Sequence, residues 1–334
     1  MVRRALVWLA LLAGACNTDF EDPSIVLDLR VLGMRADPPE IVAPVDPEDP
    51  TDVDLADIPP VEVCALVAEP DRHRGAHYRM RLCPPTGGGR CEGADEGVDE
   101  QSVFELTEAD VDDPDLLGAQ GMCATIEPSA DLVVVVQQSV RADDLAGFGG
   151  IGVQVDLAVT PDGGSEEDTV WAFKRVRYSP QLPAERVANT NPTLAGITGA
   201  RDASGERDRD FEIPLGRCGD VTPFLVAPGE RITMLPREAE GAREDYVLPT
   251  FDGGERHYTE NLTYQWHATA GEWSRFDTGG PIDAVGNDPP LDSRWRAPHD
   301  ADEIGDGLDV RMWIVQRDER GGQAWYESCA HVVP

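Results

Sequence analysis

Residues 308–316 read LDVRMWIVQ, and together with the run that follows they decide the fold class of this chain. Val310, Met312 and Ile314 occupy every second position, which places them on one face of a β-strand. The glycine-containing turn DERGG at 318–322 separates this strand from a second apolar run at 323–333. The pattern predicts a terminal β-hairpin, a unit of an antiparallel sheet.

Short runs of the same kind recur along the chain. Residues 76–83 and 261–268 alternate apolar with polar side chains, and residues 151–160 and 169–178 flank a turn that opens with PDGG. Turns rich in proline and glycine separate these runs, and a period of 3.6 residues is rarely found. We therefore expect an all-β protein made of two antiparallel β-sandwich domains.

Two segments predict local structure of other kinds. Within residues 101–115, Ser102 and Glu105 have the spacing of a capping box, which predicts one short helix that Pro114 ends. Residues 132–138 read LVVVVQQ, a continuous run rich in β-branched side chains, which predicts a strand buried on both faces.

The segment 179–215 is poor in large apolar side chains and rich in proline, asparagine, glycine and charge. Such composition is typical of a domain boundary, which we place near residue 190. The first domain then covers 25–190 and the second 191–334, and residues 16–24 form a short polar tether ahead of them.

The first sixteen residues, MVRRALVWLALLAGAC, predict export. A basic start, an apolar run over 5–12 and small residues before Cys16 are typical of a secretory signal peptide, here residues 1–15. The apolar run is much shorter than the ~20 residues that cross a bilayer. The alternative is ordinary secretion with Cys16 left unmodified.

The cysteines fit export to an oxidising compartment. Six follow Cys16, an even number that predicts three disulfides: Cys64, Cys83, Cys91, Cys123, Cys218 and Cys329. A boundary near residue 190 leaves two in the second domain, which must then pair with each other. Three pairings are open in the first domain, and we favour Cys83 with Cys91 and Cys64 with Cys123.

The net charge of the chain and the sequence motifs that it lacks reduce the number of plausible functions. The net charge of −35, from 63 acidic and 28 basic residues, disfavours binding to nucleic acid. Lys174 is the single lysine, so chemistry that needs a lysine has one candidate. The chain lacks the G-x-S-x-G, H-E-x-x-H and P-loop motifs, and we expect no catalytic activity.

Two features suggest binding. The run DADEIGDGLD gathers carboxylates that are candidate ligands for Ca²⁺, the alternative being a solvated loop: Asp300, Asp302, Asp306 and Asp309. Trp313 alternates out of phase with Val310, Met312 and Ile314. If that face is exposed, Trp313 is a candidate anchor for a partner or a glycan; the alternative is packing in the core.

Several of these segments resemble known families. The runs YQW at 264–266, WRAP at 295–298, VRMWIV at 310–315 and RDERGG at 317–322 are similar to strands of bacterial Ig-like or PKD-like domains. This resemblance implies two Ig-like sandwiches in which an aromatic side chain of the central strand fills the core.

The start of the chain is also similar to a known class. Residues 1–16 resemble the lipobox of bacterial lipoproteins, and LRVLGMRADPPE at 29–40 resembles the start of myxobacterial lipoproteins. The resemblance implies lipidation of Cys16 and anchoring in the cell envelope. Asn17 differs from the aspartate that retains lipoproteins in the inner membrane, so the outer membrane is favoured.

We therefore expect a lipid-anchored envelope protein that acts as a non-catalytic binding, adhesive or structural module. Its expected partners are the membrane, through the lipid, and an envelope protein or glycan; its one candidate cofactor is Ca²⁺. The alternatives are a secreted hydrolase, for example a carbohydrate-active one, whose carboxylate pair is assembled by folding, and a subunit of an envelope assembly.

Overall fold

The computed structural model describes residues 22–43, 58–70, 74–85, 90–91, 102–112, 122–145, 147–203 and 206–334. These ranges hold twenty β-strands and two α-helices. None of the helices in the described ranges is both long and apolar enough to cross a membrane. The expected all-β fold class is confirmed.

The described strands between residues 30 and 180 form two sheets that face each other. The smaller sheet has the order β1 (Arg30–Asp37), β3 (Val61–Ala68), β6 (Met122–Ile126). The larger has the order β2 (Glu40–Ala43), β8 (Val170–Pro180), β7 (Ile151–Pro161), β4 (Ala76–Cys83), β5 (Phe104–Val111). Side chains of both sheets, such as Val63 and Met80, share one buried core.

Residues 194–332 form a second pair of sheets. One has the order β10 (Glu206–Glu212), β9 (Leu194–Ala203), β12 (Arg231–Glu238), β18 (Ser293–Arg296), β16 (Glu272–Trp273). The other has the order β11 (Phe224–Val226), β20 (Gln323–Val332), β19 (Leu308–Arg317), β15 (Thr263–Ala268), β17 (Asp277–Gly279). Strands β13 (Asp245–Pro249) and β14 (Glu255–Thr259) pair as a separate hairpin.

The terminal hairpin has the predicted pattern. Strands β19 and β20 pair in antiparallel register from Leu308 opposite Val332 to Arg317 opposite Gln323. Val310, Met312 and Ile314 are fully buried in the second core. Aromatic side chains fill its centre, and Trp266 donates its indole N–H to Oγ1 of Thr278 at 2.9 Å, which satisfies its one polar atom.

Two strand pairs differ from a purely antiparallel arrangement. Strand β2 pairs with β8, and β11 pairs with β20, in parallel. The expectation of purely antiparallel sheets is therefore wrong at these two pairs, which lie at the edge of each sheet.

The expected helix near residue 105 is a strand. Strand β5 pairs with β4 along its length, from Ala76 opposite Val111 to Leu82 opposite Phe104. Ser102 caps no helix: its backbone N–H donates to Oε1 of Gln138 at 3.0 Å. Pairing with a neighbouring strand has outweighed a local capping pattern.

The expected strand at 132–138 lies in helix α1 (Ala130–Ala142). Ser129 caps the helix and accepts the N–H of Leu132 at 3.3 Å. The buried positions are Leu132, Val135 and Ser139, a helical spacing that packs one face against the sheets. Tertiary packing therefore overrides the β-branched composition. Helix α2 (Ala301–Ile304) is a single short turn.

Three disulfides join the cysteines as expected: Cys64–Cys123, Cys83–Cys91 and Cys218–Cys329. The first crosslinks β3 to β6, and the third attaches the segment before β11 to β20. Cys16, the signal peptide over 1–15 and most of the tether lie outside the described residues. The domain bounds remain predictions.

Candidate functional site

The two pairs of sheets meet at a small buried cluster of apolar side chains. It contains Val26, Leu32, Leu66, Ala68, Trp313 and Val315, with Trp325 packed against it. Trp313 is only 2% exposed, because residues of the first sheets cover it. The face that carries Trp313 is therefore not exposed, and the alternative of packing in the core is observed: the side chain belongs to the contact between the two halves.

A buried network of charges lies at the same contact. Glu40 on β2 is 1% exposed, and its Oε1 accepts hydrogen bonds from Nη2 of Arg186 at 2.8 Å and from Oγ of Ser179 at 2.6 Å. Its Oε2 accepts from Nη2 of Arg320, in the β19–β20 turn, at 2.5 Å. Burial opposes ionisation of Glu40, but the Ser179 hydrogen bond and the two arginines lower its pKa. The carboxylate therefore stays charged.

Arg320 continues the network into the second half. Its Nη1 lies 3.4 Å from Oε2 of Glu244 and 3.3 Å from Oε1 of the buried Glu260. Burial raises the pKa of Glu260 to about 7, and the nearby charges of Asp318 and Glu244 act in the same direction, against Arg320. The guanidinium of Arg320 therefore contacts the carboxyl groups of Glu40 in the first half and of Glu244 and Glu260 in the second.

Beside this network lies a cleft of about 380 Å³. Residues 31–34 of β1 and 172–175 of β8 form two walls, and Arg317, Gly321 and Gln323 of the terminal hairpin form the third. Both halves of the chain therefore contribute to the cleft, and the ion pair between Arg320 and Glu40 holds the turn that carries its third wall.

Cationic groups line this cleft. Lys174 is 9% exposed, and its Nζ donates to the carbonyl oxygen of Gly321. Burial lowers the pKa of Lys174 to about 8; Asp318 opposes this shift and Arg317 adds to it. Arg317 donates through Nη2 to the carbonyl oxygen of Leu32 at 3.0 Å, and also bonds to Gln265. The guanidinium of Arg175 lies 5.7 Å from the ring centroid of Phe173.

One polar group of the cleft lacks a partner. Gln323 is 5% exposed, and its Nε2 has no hydrogen-bond acceptor among the described residues. The amide packs over Gly33, where a Cβ atom would collide with it. A buried donor without an acceptor costs free energy. The cleft itself offers positive charge, from Lys174 and Arg317, to an anion.

The predicted calcium ligands are not assembled. Asp300 caps α2 and accepts the N–H of Asp302 at 2.9 Å, while Asp309 lies 2.6 Å from Nδ1 of His331. Among described residues, three potential ligand atoms come within 4.8 Å of one another only at Glu62, Cys64 and Cys123, and the two cysteines are joined in a disulfide. Asp300 and Asp309 therefore make separate local contacts, and none of Asp300, Asp302, Asp306 and Asp309 belongs to a group of converging ligand atoms within the described residues.

In the sequence Lys174 stands out as the one lysine, but no pattern around it indicates a role in binding. The cleft joins β8 to a turn 147 residues later in the chain, so no local motif marks it. The available signal was the position of a lone lysine within an alternating strand, where burial is costly unless it serves a contact.

The fold and this junction define an all-β, disulfide-crosslinked protein whose halves share a cationic cleft. No protein-family model and no curated protein matches the chain. A structural match is found with the native conformation of alpha-2-macroglobulin from E. coli, with 11% identity and a TM-score of 0.21, over 90% of this chain. This chain spans 16% of the length of that protein, and the low score carries no inference about fold or function.

Proposed function

We propose that this chain is a lipid-anchored protein of the bacterial cell envelope, and that it acts as a non-catalytic binding module whose ligand lies in the cationic cleft. The observation that carries this proposal is the buried Lys174 beside Arg317, brought together in one cleft by both halves of a strongly acidic chain. Such groups are costly in the empty protein, and a bound anion offsets that cost.

The disulfides support the proposed location. All six cysteines after Cys16 are paired, and such crosslinks persist in oxidising compartments outside the cytoplasm. Cys16 then has no cysteine partner left and is available for a lipid at the end of the signal peptide. Asn17 favours the outer membrane over the inner one.

The proposal includes the domain type. The two halves are Ig-like domains, with bounds at 25–190 and 191–334, and the second is of the PKD-like kind. Its support is the buried Trp266 on β15 and the antiparallel β19–β20 hairpin with its DERGG turn. The resemblance of residues 29–40 to the start of myxobacterial lipoproteins is a further support for the proposed lipoprotein.

Metabolic labelling tests the anchor. A bacterial host that expresses the full chain with labelled palmitate is expected to incorporate label into the wild type and none into Cys16→Ser. Fractionation is expected to place the labelled protein with the envelope. An unlabelled wild type that stays in the cytosol with Met1 intact would overturn the location.

Native mass spectrometry tests the cleft. Protein isolated from the envelope is expected to carry a bound small molecule that the Lys174→Met variant lacks. Arg141→Met is the matched control, because it removes one positive charge at an exposed position of α1 that does not line the cleft. Equal ligand content in all three proteins would place the ligand elsewhere.

A further inference from the structure

We propose that the cleft binds a small monocarboxylate with an apolar body, the carboxylate lying between Lys174 and Arg317. This inference deepens the proposed function and rests on its choice of the cleft as the ligand site. It names the chemical class of the ligand.

The donors match a carboxylate. Lys174 has three N–H donors and uses one on Gly321, which leaves two for a ligand. Arg317 is fixed by its hydrogen bonds to Leu32 and Gln265, so its charge is held in place before a ligand arrives. A carboxylate offers two oxygens with about four lone-pair sites, which these donors can satisfy.

The charge balance favours one negative charge. Lys174, Arg175 and Arg317 contribute positive charge, and Asp318 lies close enough to act on Lys174. A metal cation is repelled by the three basic groups. Asp318 repels an anion with several negative charges more strongly than it repels a monocarboxylate.

The rest of the wall is apolar. Val31, Leu32, Met34 and Ala172 line the cleft beside the donors, and Phe173 is 49% exposed there. Covering this surface contributes roughly 25 cal/mol for each Å² of apolar area removed from water. The ligand therefore carries an apolar group next to its carboxylate.

Binding is coupled to proton uptake. Lys174 is partly neutral near pH 8, because burial lowers its pKa to about 8. The charges that act on Lys174 are those of Asp318, which favours the protonated amine, and of Arg317, which disfavours it. A carboxylate beside Lys174 favours the charged amine, so binding at pH 8 takes up about half a proton.

Titration calorimetry of the full chain tests the proposal with named probes. N-acetylphenylalanine supplies the apolar carboxylate, its primary amide is the neutral control, and glucuronate is the sugar carboxylate. We expect saturable binding of N-acetylphenylalanine that is at least about tenfold tighter than that of the other two, a difference of about 1.4 kcal/mol. Equal binding of the amide, tighter binding of glucuronate, or no carboxylate binding at millimolar concentration overturns the proposal.

Two substitutions of Lys174 distinguish the contribution of its positive charge to binding from the proton uptake that accompanies binding. Lys174→Met is expected to weaken binding of N-acetylphenylalanine at least about tenfold, with Arg141→Met unchanged. Lys174→Arg is expected to retain binding but lose proton uptake, measured at pH 8 in buffers of different ionisation enthalpy, because arginine stays protonated. Unchanged proton uptake in Lys174→Arg contradicts the assignment. Thermal unfolding of each variant shows that a loss of binding is not a loss of fold.

The two proposals fail separately. If carboxylates do not bind but the natural small molecule is still lost from Lys174→Met, the ligand class is wrong and the cleft remains the site. If the natural ligand is retained by Lys174→Met, the cleft itself is the wrong site.

Discussion

Arg320 places its Nη2 2.5 Å from Oε2 of Glu40, and this ion pair joins the terminal hairpin of the second half to strand β2 of the first. The residue after Arg320 is Gly321, whose carbonyl oxygen accepts the hydrogen bond from Lys174. The ion pair therefore fixes both the contact between the halves and one wall of the cleft. A buried pair of this kind need not add net stability over apolar packing, but it does fix one geometry.

Removal of Arg320 tests that role. Arg320→Met leaves Glu40 and Glu260 buried beside fewer positive charges, and we expect a loss of about 3 to 5 kcal/mol in the free energy of unfolding. Urea denaturation measures the loss. Arg256→Met, on the exposed strand β14, is the matched control, with an expected change within about 0.5 kcal/mol. A loss below about 1 kcal/mol for Arg320→Met would contradict the role of the network.

The raised pKa of Glu260 makes stability depend on pH. Between about 4.5, the value of the free side chain, and about 7, the unfolded carboxyl has lost the proton that the folded one keeps. The unfolded state then binds fewer protons, so stability falls as pH rises through this window and levels off above it. Glu40 has the opposite effect on the pH dependence. Because its pKa is lowered in the folded protein, its contribution to the stability of the fold is lost as the pH falls below about 4.5.

Glu260→Gln removes this pH dependence. Relative to the wild type, the variant is expected to gain stability steadily from pH 4.5 to pH 7 and to show a constant difference at higher pH. Urea midpoints across this range measure it, with Glu127→Gln, at an exposed position, as the control for loss of one carboxylate. A difference that does not vary with pH would show that the Glu260 proton is lost equally in both states.

The disulfides are expected to differ in their contribution. Cys218–Cys329 spans 111 residues and Cys83–Cys91 spans 8. From loop entropy alone, loss of the longer crosslink by double substitution to alanine costs about 4.8 kcal/mol and loss of the shorter one about 2.5 kcal/mol. Chemical denaturation of both variants measures the difference. A larger loss for the short loop would show that native packing, and not the unfolded chain, sets the effect.

Burial of Trp313 predicts a structural effect. Trp313→Ala is expected to cost about 3 to 5 kcal/mol, because it leaves a cavity between the halves. Val285→Ala, at an exposed position, is expected to change stability by less than about 0.5 kcal/mol. If Trp313→Ala is as mild as Val285→Ala in denaturant, the indole is not part of the contact.

The sequence by itself determined the fold class, the hairpins and the disulfide count. The alternation over 308–316 predicts which face of β19 is buried, and the glycine-containing turn after it predicts the hairpin. Both features depend on residues that are close together in the sequence. The pairing of Cys218 with Cys329 followed from a boundary that composition indicates. Local patterns gave the wrong secondary structure where contacts with distant residues determine it. Residues 104–111 form a strand because they pair with β4, and residues 130–142 form a helix because one helical face packs into the core.

Only the tertiary structure decided the site. Glu40, Lys174 and Arg320 lie far apart in the chain, and no spacing rule relates them. Their contact depends on how the two pairs of sheets pack, which also buries Trp313. The interaction between two charged groups depends on the distance between them and on their burial. Neither quantity can be deduced from the sequence next to each residue.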